Sequence, residues 1–306
     1  MKKRLLVVLA FLTSLPVFSQ ESQTSFLPIF NPVVKAELPT EVKETSGLFF
    51  HNGRLWTHND SGGKPILYGI DTTTFEVVQR ITLANGKNKD WEDVCTDGTT
   101  VFVGDMGNNN GKRKHLRIYM FPLSDIPEDG DASVMVDSIV FRFADQTNFE
   151  KRKVHDFDCE AMFATKDHLY LFSKGWATGT TRLYRLPKTP GEHVAEVVNS
   201  FDSKGLVTGA DYDAENNLLV VLGYAKNKAY EPFIYLIFNF NEHGQNLSNC
   251  RCELPNNVGT QTEGICFYDK GRCFVSAEAV GKVLAARVFE FDFRKLIEQY
   301  GKGKAQ

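Results

Sequence analysis

The chain has 306 residues, 42% of them apolar and 12% aromatic, and a formal net charge of −3. That is enough apolar material to bury a substantial core in one or two domains, with no long disordered or low-complexity tract. The acidic balance argues against nucleic acid as a partner.

Taken in chain order, the first twenty residues read as a targeting segment. Lys2, Lys3 and Arg4 give a positive start, Leu5 to Leu15 is mostly apolar, Pro16 breaks the run, and Ser19 offers a small residue for cleavage near Gln20. This pattern is that of a secretory signal peptide over residues 1–20, too short for a comfortable membrane span. No cysteine follows the apolar run, which argues against a lipid anchor. Removal of those positive residues would leave a mature charge of about −6. No later segment approaches ~18 uninterrupted apolar residues. The expectation is a bacterial protein that does not span a membrane and is periplasmic or secreted, with residues 21–306 forming a single domain and a short C-terminal tail.

After a lone strand pattern in NPVVKAEL (31–38), one motif recurs: KETSGLFFHNGRLWTHND (43–60), DWEDVCTDGTTVFVGDMGNN (90–109), DCEAMFATKDHLYLFSKG (158–175), VTGADYDAENNLLVVLGY (207–224) and QTEGICFYDKGRCFVSAE (261–278). Each has a polar or small anchor, an apolar run, a turn rich in Asn, Asp, Gly or Lys, and a second β-branched and aromatic run, the pattern of a hairpin. Anchored on Ser46, Glu92, Glu160, Gly209 and Glu263, the spacings are 46, 68, 49 and 54 residues. A third strand follows each hairpin (KPILYGID, HLRIYMFPL, TRLYRLP, PFIYLIFNF, AARVFEFDF), and a fourth follows the first four (EVVQRITL, DSIVFRFA, AEVVNSF, LSNCRCEL). Helical patterning is confined to Arg294–Tyr300. The fold expected is all-β, a β-propeller of four-stranded blades. The count is five, with a sixth left open by the longer second repeat near Ser124–Asp158. The fifth repeat lacks an outer strand, and residues 31–38 can supply it, closing the ring and covering an edge. An array of β-sandwiches is the alternative, but it does not account for the repeated hairpin.

Cys95, Cys159, Cys250, Cys252, Cys266 and Cys273 are compatible with export, and sequence does not fix their pairing. Cys266 and Cys273 flank the last hairpin turn and are the favoured pair. The lone Cys250-Arg-Cys252 is weak as a zinc motif.

The signature Ser46-Gly47-Leu48 with Gly53-Arg54-Leu55-Trp56, repeated as Glu263-Gly264-Ile265 with Gly271-Arg272-Cys273-Phe274, resembles the SdiA-regulated propeller family of exported bacterial proteins. More loosely it is similar to phytase-like and NHL-type propellers. The resemblance covers nearly the whole mature chain and implies a small propeller that binds calcium, with no settled reaction. The chain departs from the pattern at Thr208-Gly209-Ala210 and Glu92-Asp93, so a family ligand at Gly209 would be lost.

Antiparallel pairing puts both ends of a hairpin at one edge. A propeller would therefore gather Glu92, Glu160 and Glu263 at one channel mouth. Around them would lie the rim residues Asn59, Asp60, Asp105, Asn108, Lys174, Trp176, Tyr224 and Lys226, with His58 and Glu278 as candidates for moving a proton. Converging carboxylates need compensation. A hard cation such as calcium bound by Glu92, Glu160 and Glu263 is one solution, and Lys174 against Glu160 is another. A third is a bracing role, with each glutamate accepting N–H bonds from the next blade. The turn residues Asn59-Asp60-Ser61-Gly62-Gly63 and Asp105–Lys112, and the His155-Asp156-Phe157-Asp158 loop, read first as local structure. The chain has no G-x-S-x-G, P-loop, dinucleotide glycine turn or H-E-x-x-H, which disfavours serine hydrolase, nucleotide kinase and standard zinc protease. Two functional readings remain. One is a calcium-dependent module for a small molecule or an envelope protein; the other is a metal-dependent hydrolase of phosphoesters or lactones at the same site. Sequence does not fix the oligomeric state.

Overall fold

The computed structural model describes residues 25–26, 32–225, 230–244 and 248–301. The targeting segment expected over 1–20 lies outside them, as does Lys226. Among the described residues the chain is almost entirely β, and the expected hairpins are present. Their first strands are Thr45–His51, Trp91–Thr96, Asp158–Ala164, Leu206–Asp213 and Thr262–Asp269. Their second strands are Arg54–Asn59, Thr100–Asp105, His168–Lys174, Leu218–Tyr224 and Arg272–Ala277. Local chemistry sets the turns. His51 pairs with Arg54 across Asn52-Gly53, and both turn residues have positive φ, 49° and 70°. That is the geometry a right-twisted hairpin requires and Asn-Gly tolerates.

Third strands Ile66–Asp71, Leu116–Pro122, Thr180–Pro187, Pro232–Phe238 and Arg287–Asp292 extend each sheet outward. Outer strands Val77–Leu83, Asp137–Phe143, Gly191–Asp202 and Ser248–Glu253 follow in the first four units. In the fifth unit, Val33–Glu37 pairs antiparallel with Arg287–Asp292, so the N-terminal strand completes the last sheet. Three edge contacts carried no sequence signal. Ala132–Val134 adds parallel to the first unit, Asp137–Phe143 pairs parallel with Gly191–Asp202 to merge the second and third units, and Ser25–Phe26 adds parallel to the fourth. Such additions blunt exposed edges. The short C-terminal helical stretch begins at Arg294.

The first strands neighbour one another in a closed circuit, each beside the one before and the one after, the last beside the first. One apolar layer fills each gap between units. Strands packed between two such layers are buried on both faces, so Leu218–Tyr224 and Pro232–Phe238 are apolar throughout, whereas the outer strand Val77–Leu83 alternates.

The ring is also stapled by hydrogen bonds near its axis. Ser46 Oγ donates to Glu92 O (2.6 Å) and Thr208 Oγ1 to Thr262 O (2.7 Å). Asp93 accepts from Met162 N (2.7 Å) and Asp211 from Phe267 N (2.8 Å), each in the next unit. Gly47, at φ +53°, makes the first of these approaches feasible, since a Cβ there would lie 2.5 Å from Val94 N.

Two expectations need correction. Cys266 faces Phe274 and Cys273 faces Phe267 across the ladder. The two cysteines are thus one register step apart and point to opposite sides of the sheet. They enter different apolar layers, and all six cysteines are buried. The anchor of the fourth repeat is Thr208, not Gly209, because the register slips between Val207 and Gly209 and leaves Thr208 in the bulge.

The staples carry a stability prediction. Asp211→Ala leaves two part-buried N–H groups, of Phe267 and Tyr212, without their acceptor, and should cost about 1–3 kcal/mol in urea unfolding. Thr208→Val, which loses one bond, should cost about 1 kcal/mol. Losses below about 0.5 kcal/mol for both would show that these bonds do not hold the ring.

Candidate functional site

Four of the five first strands carry a one-residue bulge at a fixed place, and Glu92, Glu160, Thr208 and Glu263 occupy it. In the first unit the slip spans Ser46 to Phe49. A bulge re-aims its extra residue away from the ladder. Here it turns three carboxylates toward the end of the ring where the second strands terminate.

Glu92 meets Asp60, from the loop after the first hairpin, and Asp90, just before its own strand. One carboxylate oxygen from each of the three lies within 4.8 Å of the others. Glu92 is 5% exposed, and Asp60 and Asp90 are half-buried. The Asp60 Oδ1 atom is buried with no hydrogen-bond partner. Gly107 is why the carboxylates can crowd here, since a Cβ would lie 1.9 Å from Glu92 Oε1 and 2.5 Å from Asp90 Oδ2. An acidic triad of this kind, one member buried and two half-buried, can hold a metal ion, and its all-oxygen donor set suits a hard cation.

Glu160 and Glu263 stand beside this triad, not in it. Glu160 binds Lys174 Nζ at 2.5 Å, and both side chains are buried. The Lys174 ammonium also lies 5.4 Å from the Trp176 ring centroid and 5.3 Å from that of Tyr224. Glu263 accepts from Gln261 Nε2 (2.9 Å), which also donates to Glu278 (2.8 Å). The edge shared by Glu263 and Glu278 is thus bridged by one amide.

The remaining rim residues are engaged in holding loops. Asn59 accepts from Glu44 N (3.1 Å) and donates to Glu41 O (2.8 Å). Asp105 pairs with Arg113 at 2.8 Å. Asn108 donates its N–H to Asp158 (2.7 Å) and its amide to Phe157 O (2.9 Å), and accepts from Arg113 N (2.9 Å), tying the second unit to the third. Trp176 Nε1 donates to the other Asp158 oxygen at 3.1 Å. His58 is fully buried, edge-on to Trp91 at 5.5 Å, and its Nδ1 faces Asn59 O at 3.1 Å. In the His155–Asp158 loop, Asp156 caps the backbone N–H groups of Ala177 and Thr178.

The electrostatics follow from burial and crowding. Burial, then Asp90 and Glu263, push Asp60 up to about 7. Burial, then Glu263 and Asp60, push Glu278 up to about 9. Glu92 is held well above the usual carboxylate range by burial, Glu160, Asp60, Asp158 and Asp90. Burial works against the charge on Lys174, but Glu160 and Glu263 hold it well above its ordinary value. Burial keeps His58 neutral, down to about 4.

Sequence reasoning named Glu92 and Asp60 but missed Asp90 and Gln261. Asp90 precedes Glu92 by two residues, the spacing that returns a side chain to the same face of an extended chain, and that spacing is the signal that could have found it.

Comparisons with known proteins bear on the fold. No protein-family model matches the chain, and no curated protein sequence matches it significantly. Among solved structures it is similar to the exo-β-1,3-galactanase of Phanerochaete chrysosporium in complex with β-1,3-galactotriose, with TM-score 0.52 and 9% identity over 86% of this chain and 65% of that one. The chain therefore spans about two thirds of the galactanase. Other matches are a Bombyx mori β-fructofuranosidase with sucrose (TM-score 0.47, 12% identity, 86% of this chain and 63% of that one) and a nidogen/laminin complex (TM-score 0.44, 14% identity, 85% and 84%). The class defined by the fold and the site is a β-propeller-like protein with an acidic triad at one end of its ring.

The raised carboxylates make stability depend on pH. An acid whose folded pKa exceeds its unfolded value favours the folded state below the unfolded value, and that advantage is lost as pH rises through the folded value. For Asp60 and Glu278 the window runs from the ordinary carboxylate range to about 7 and about 9. In a chelator, the melting temperature should fall steadily from pH 5 to pH 9; a flat or rising profile would contradict the crowding.

Proposed function

We propose that this is an exported bacterial propeller that binds a divalent cation, calcium, through Asp60, Asp90 and Glu92. We propose further that the protein uses that end of the ring as a binding module for a small molecule or an envelope protein. The observation that carries the reading is the triad itself: three converging carboxylates, one with a buried oxygen that no protein group satisfies. Glu160, Asp60, Asp158 and Asp90 all work against a charge on Glu92, and an ion there would relieve that repulsion. Calcium suits the site because its ligands are oxygens and its geometry is permissive. The resemblance to the SdiA-regulated family, carried by Ser46-Gly47-Leu48 and Glu263-Gly264-Ile265, agrees with calcium and with export.

Binding is preferred over hydrolysis on charge and placement. Six carboxylates, Asp60, Asp90, Glu92, Glu160, Glu263 and Glu278, crowd that end with Lys174 as the cation bound among them, a poor setting for an anionic phosphoester. His58, the candidate base, is fully buried against Trp91, and burial lowers it to about 4, which makes it a weak proton acceptor. A neutral polyhydroxylated ligand fits the acidic, aromatic-edged surface better, and the galactanase neighbour is one whose own ligand is a sugar.

Thermal unfolding in EDTA and then in millimolar calcium tests the reading. Calcium should raise the melting temperature by several degrees, the linkage expected of ligand in large excess over its Kd. The triple change Asp60→Asn, Asp90→Asn, Glu92→Gln should abolish that rise. A wild type indifferent to calcium would sink the proposal.

A further inference from the structure

The chain is acidic overall, yet it carries a strongly basic patch. Lys112-Arg113-Lys114-His115 lies in the loop before the third strand of the second unit, and Lys151-Arg152-Lys153-Val154 lies in the loop leading into the third unit. The fold holds these two loops together. Arg152 N donates to Asn110 O (2.9 Å), Gln146 Nε2 donates to Gly111 O (2.8 Å), and Lys114 Nζ lies 5.7 Å from the Phe149 ring centroid. Leu116 pairs with Phe141, so the next rung sets His115 opposite Arg142. With His193, these two residues line a cleft of about 220 Å³ in which Glu192 is the acid. Lys112, Lys114, Arg142, Lys151, Arg152 and Lys153 are all exposed. The same stretches of chain, 105–115, 142–156 and 191–194, hold five acids. Three are engaged elsewhere: Asp105 with Arg113 (2.8 Å), Asp145 with Arg182 (3.5 Å), and Asp156 with the N–H groups of Ala177 and Thr178. Glu150 and Glu192 remain against six cations.

We infer that this patch docks the protein on an anionic phospholipid surface. Salt confines electrostatic attraction to about 8 Å at physiological ionic strength, so the local excess of positive charge decides and the acidic balance of the whole chain does not. Basic clusters of this size attract anionic headgroups. Four of the six cations are lysines, point charges that suit mobile phosphates better than a partner of fixed bidentate geometry. Val154, 64% exposed and next to Lys153, puts an apolar tip among the charges. A headgroup layer takes up such a residue, whereas a soluble polyanion would leave it in water. The cleft between Arg142 and the two histidines would seat one lipid phosphate through charge-assisted bonds. Docking of this kind needs no metal ion, so it stands apart from the acidic triad.

Flotation with lipid vesicles tests the docking, in EDTA so that calcium does not bridge protein and lipid. The protein should float with phosphatidylcholine vesicles that contain phosphatidylglycerol and not with vesicles of phosphatidylcholine alone, and molar sodium chloride should release it. The triple change Lys151→Gln, Arg152→Gln, Lys153→Gln should weaken binding on the order of a hundredfold, with the melting temperature unchanged because all three side chains are exposed. Val154→Trp should add a fluorescence component that shifts to the blue on the anionic vesicles only. Failure to bind the anionic vesicles, equal binding to both kinds, or binding that the triple change leaves intact overturns the inference. Vesicle binding with no emission shift in Val154→Trp overturns it too, since these loops would then not face the lipid. So does a protein that ignores phosphatidylglycerol but is retained by an acidic polysaccharide such as alginate.

Discussion

The bulge in the first strand of the hairpins is the constraint on which the rest depends. Each first strand is buried between two neighbours, so its side chains have no free face on which to carry charge. One extra residue per strand, placed at the same step of the ladder, escapes that burial pattern and points to the end of the ring. Where that residue is Glu92, Glu160 or Glu263 it brings a carboxylate. Where it is Thr208 it bonds the next strand instead, through Thr262 O. The ring therefore uses one local device for two purposes, closure on one side and a charged cluster on the other.

The division of labour among the acids follows from what surrounds them. Asp93 and Asp211 lie one to three residues beyond the bulge and accept backbone N–H bonds from the adjacent units. They perform the bracing that the sequence assigned as an alternative role to the glutamates. Freed of that task, Glu92, Asp60 and Asp90 face one another, while Glu160 is matched by Lys174 and Glu263 by Gln261. Burial without matched charge is costly, and in the triad a buried Asp60 oxygen is left without a hydrogen-bond partner. An external cation is the simplest compensation.

Much of this was legible in the sequence because it depends on period and polarity. The hairpin repeat, the third and fourth strands and the completing strand at Val33–Glu37 all follow from alternation and from the missing outer strand of the last repeat. The convergence of Glu92 and Asp60 followed from antiparallel geometry. What was not legible depends on register and on backbone partners. A slip in the fourth hairpin moved the anchor from Gly209 to Thr208, and one step of register in the fifth put Cys266 and Cys273 on opposite faces. Asn59 and Asn108 have the right chemistry for cation ligands, but their amides are consumed by main-chain groups far along the chain. The parallel edge pairs, such as Asp137–Phe143 with Gly191–Asp202, have no sequence mark because they join outer strands whose residues are already satisfied as strands.

The proposed site puts a hard cation between Asp60, Asp90 and Glu92. The most direct test is a crystal of the protein soaked in a lanthanide chloride, a calcium mimic with strong anomalous scattering. An anomalous peak is expected bounded by those three carboxylates, beside Gly107 and away from the Lys174 ammonium. A map with ordered lanthanide elsewhere on the protein and none at the triad would contradict it.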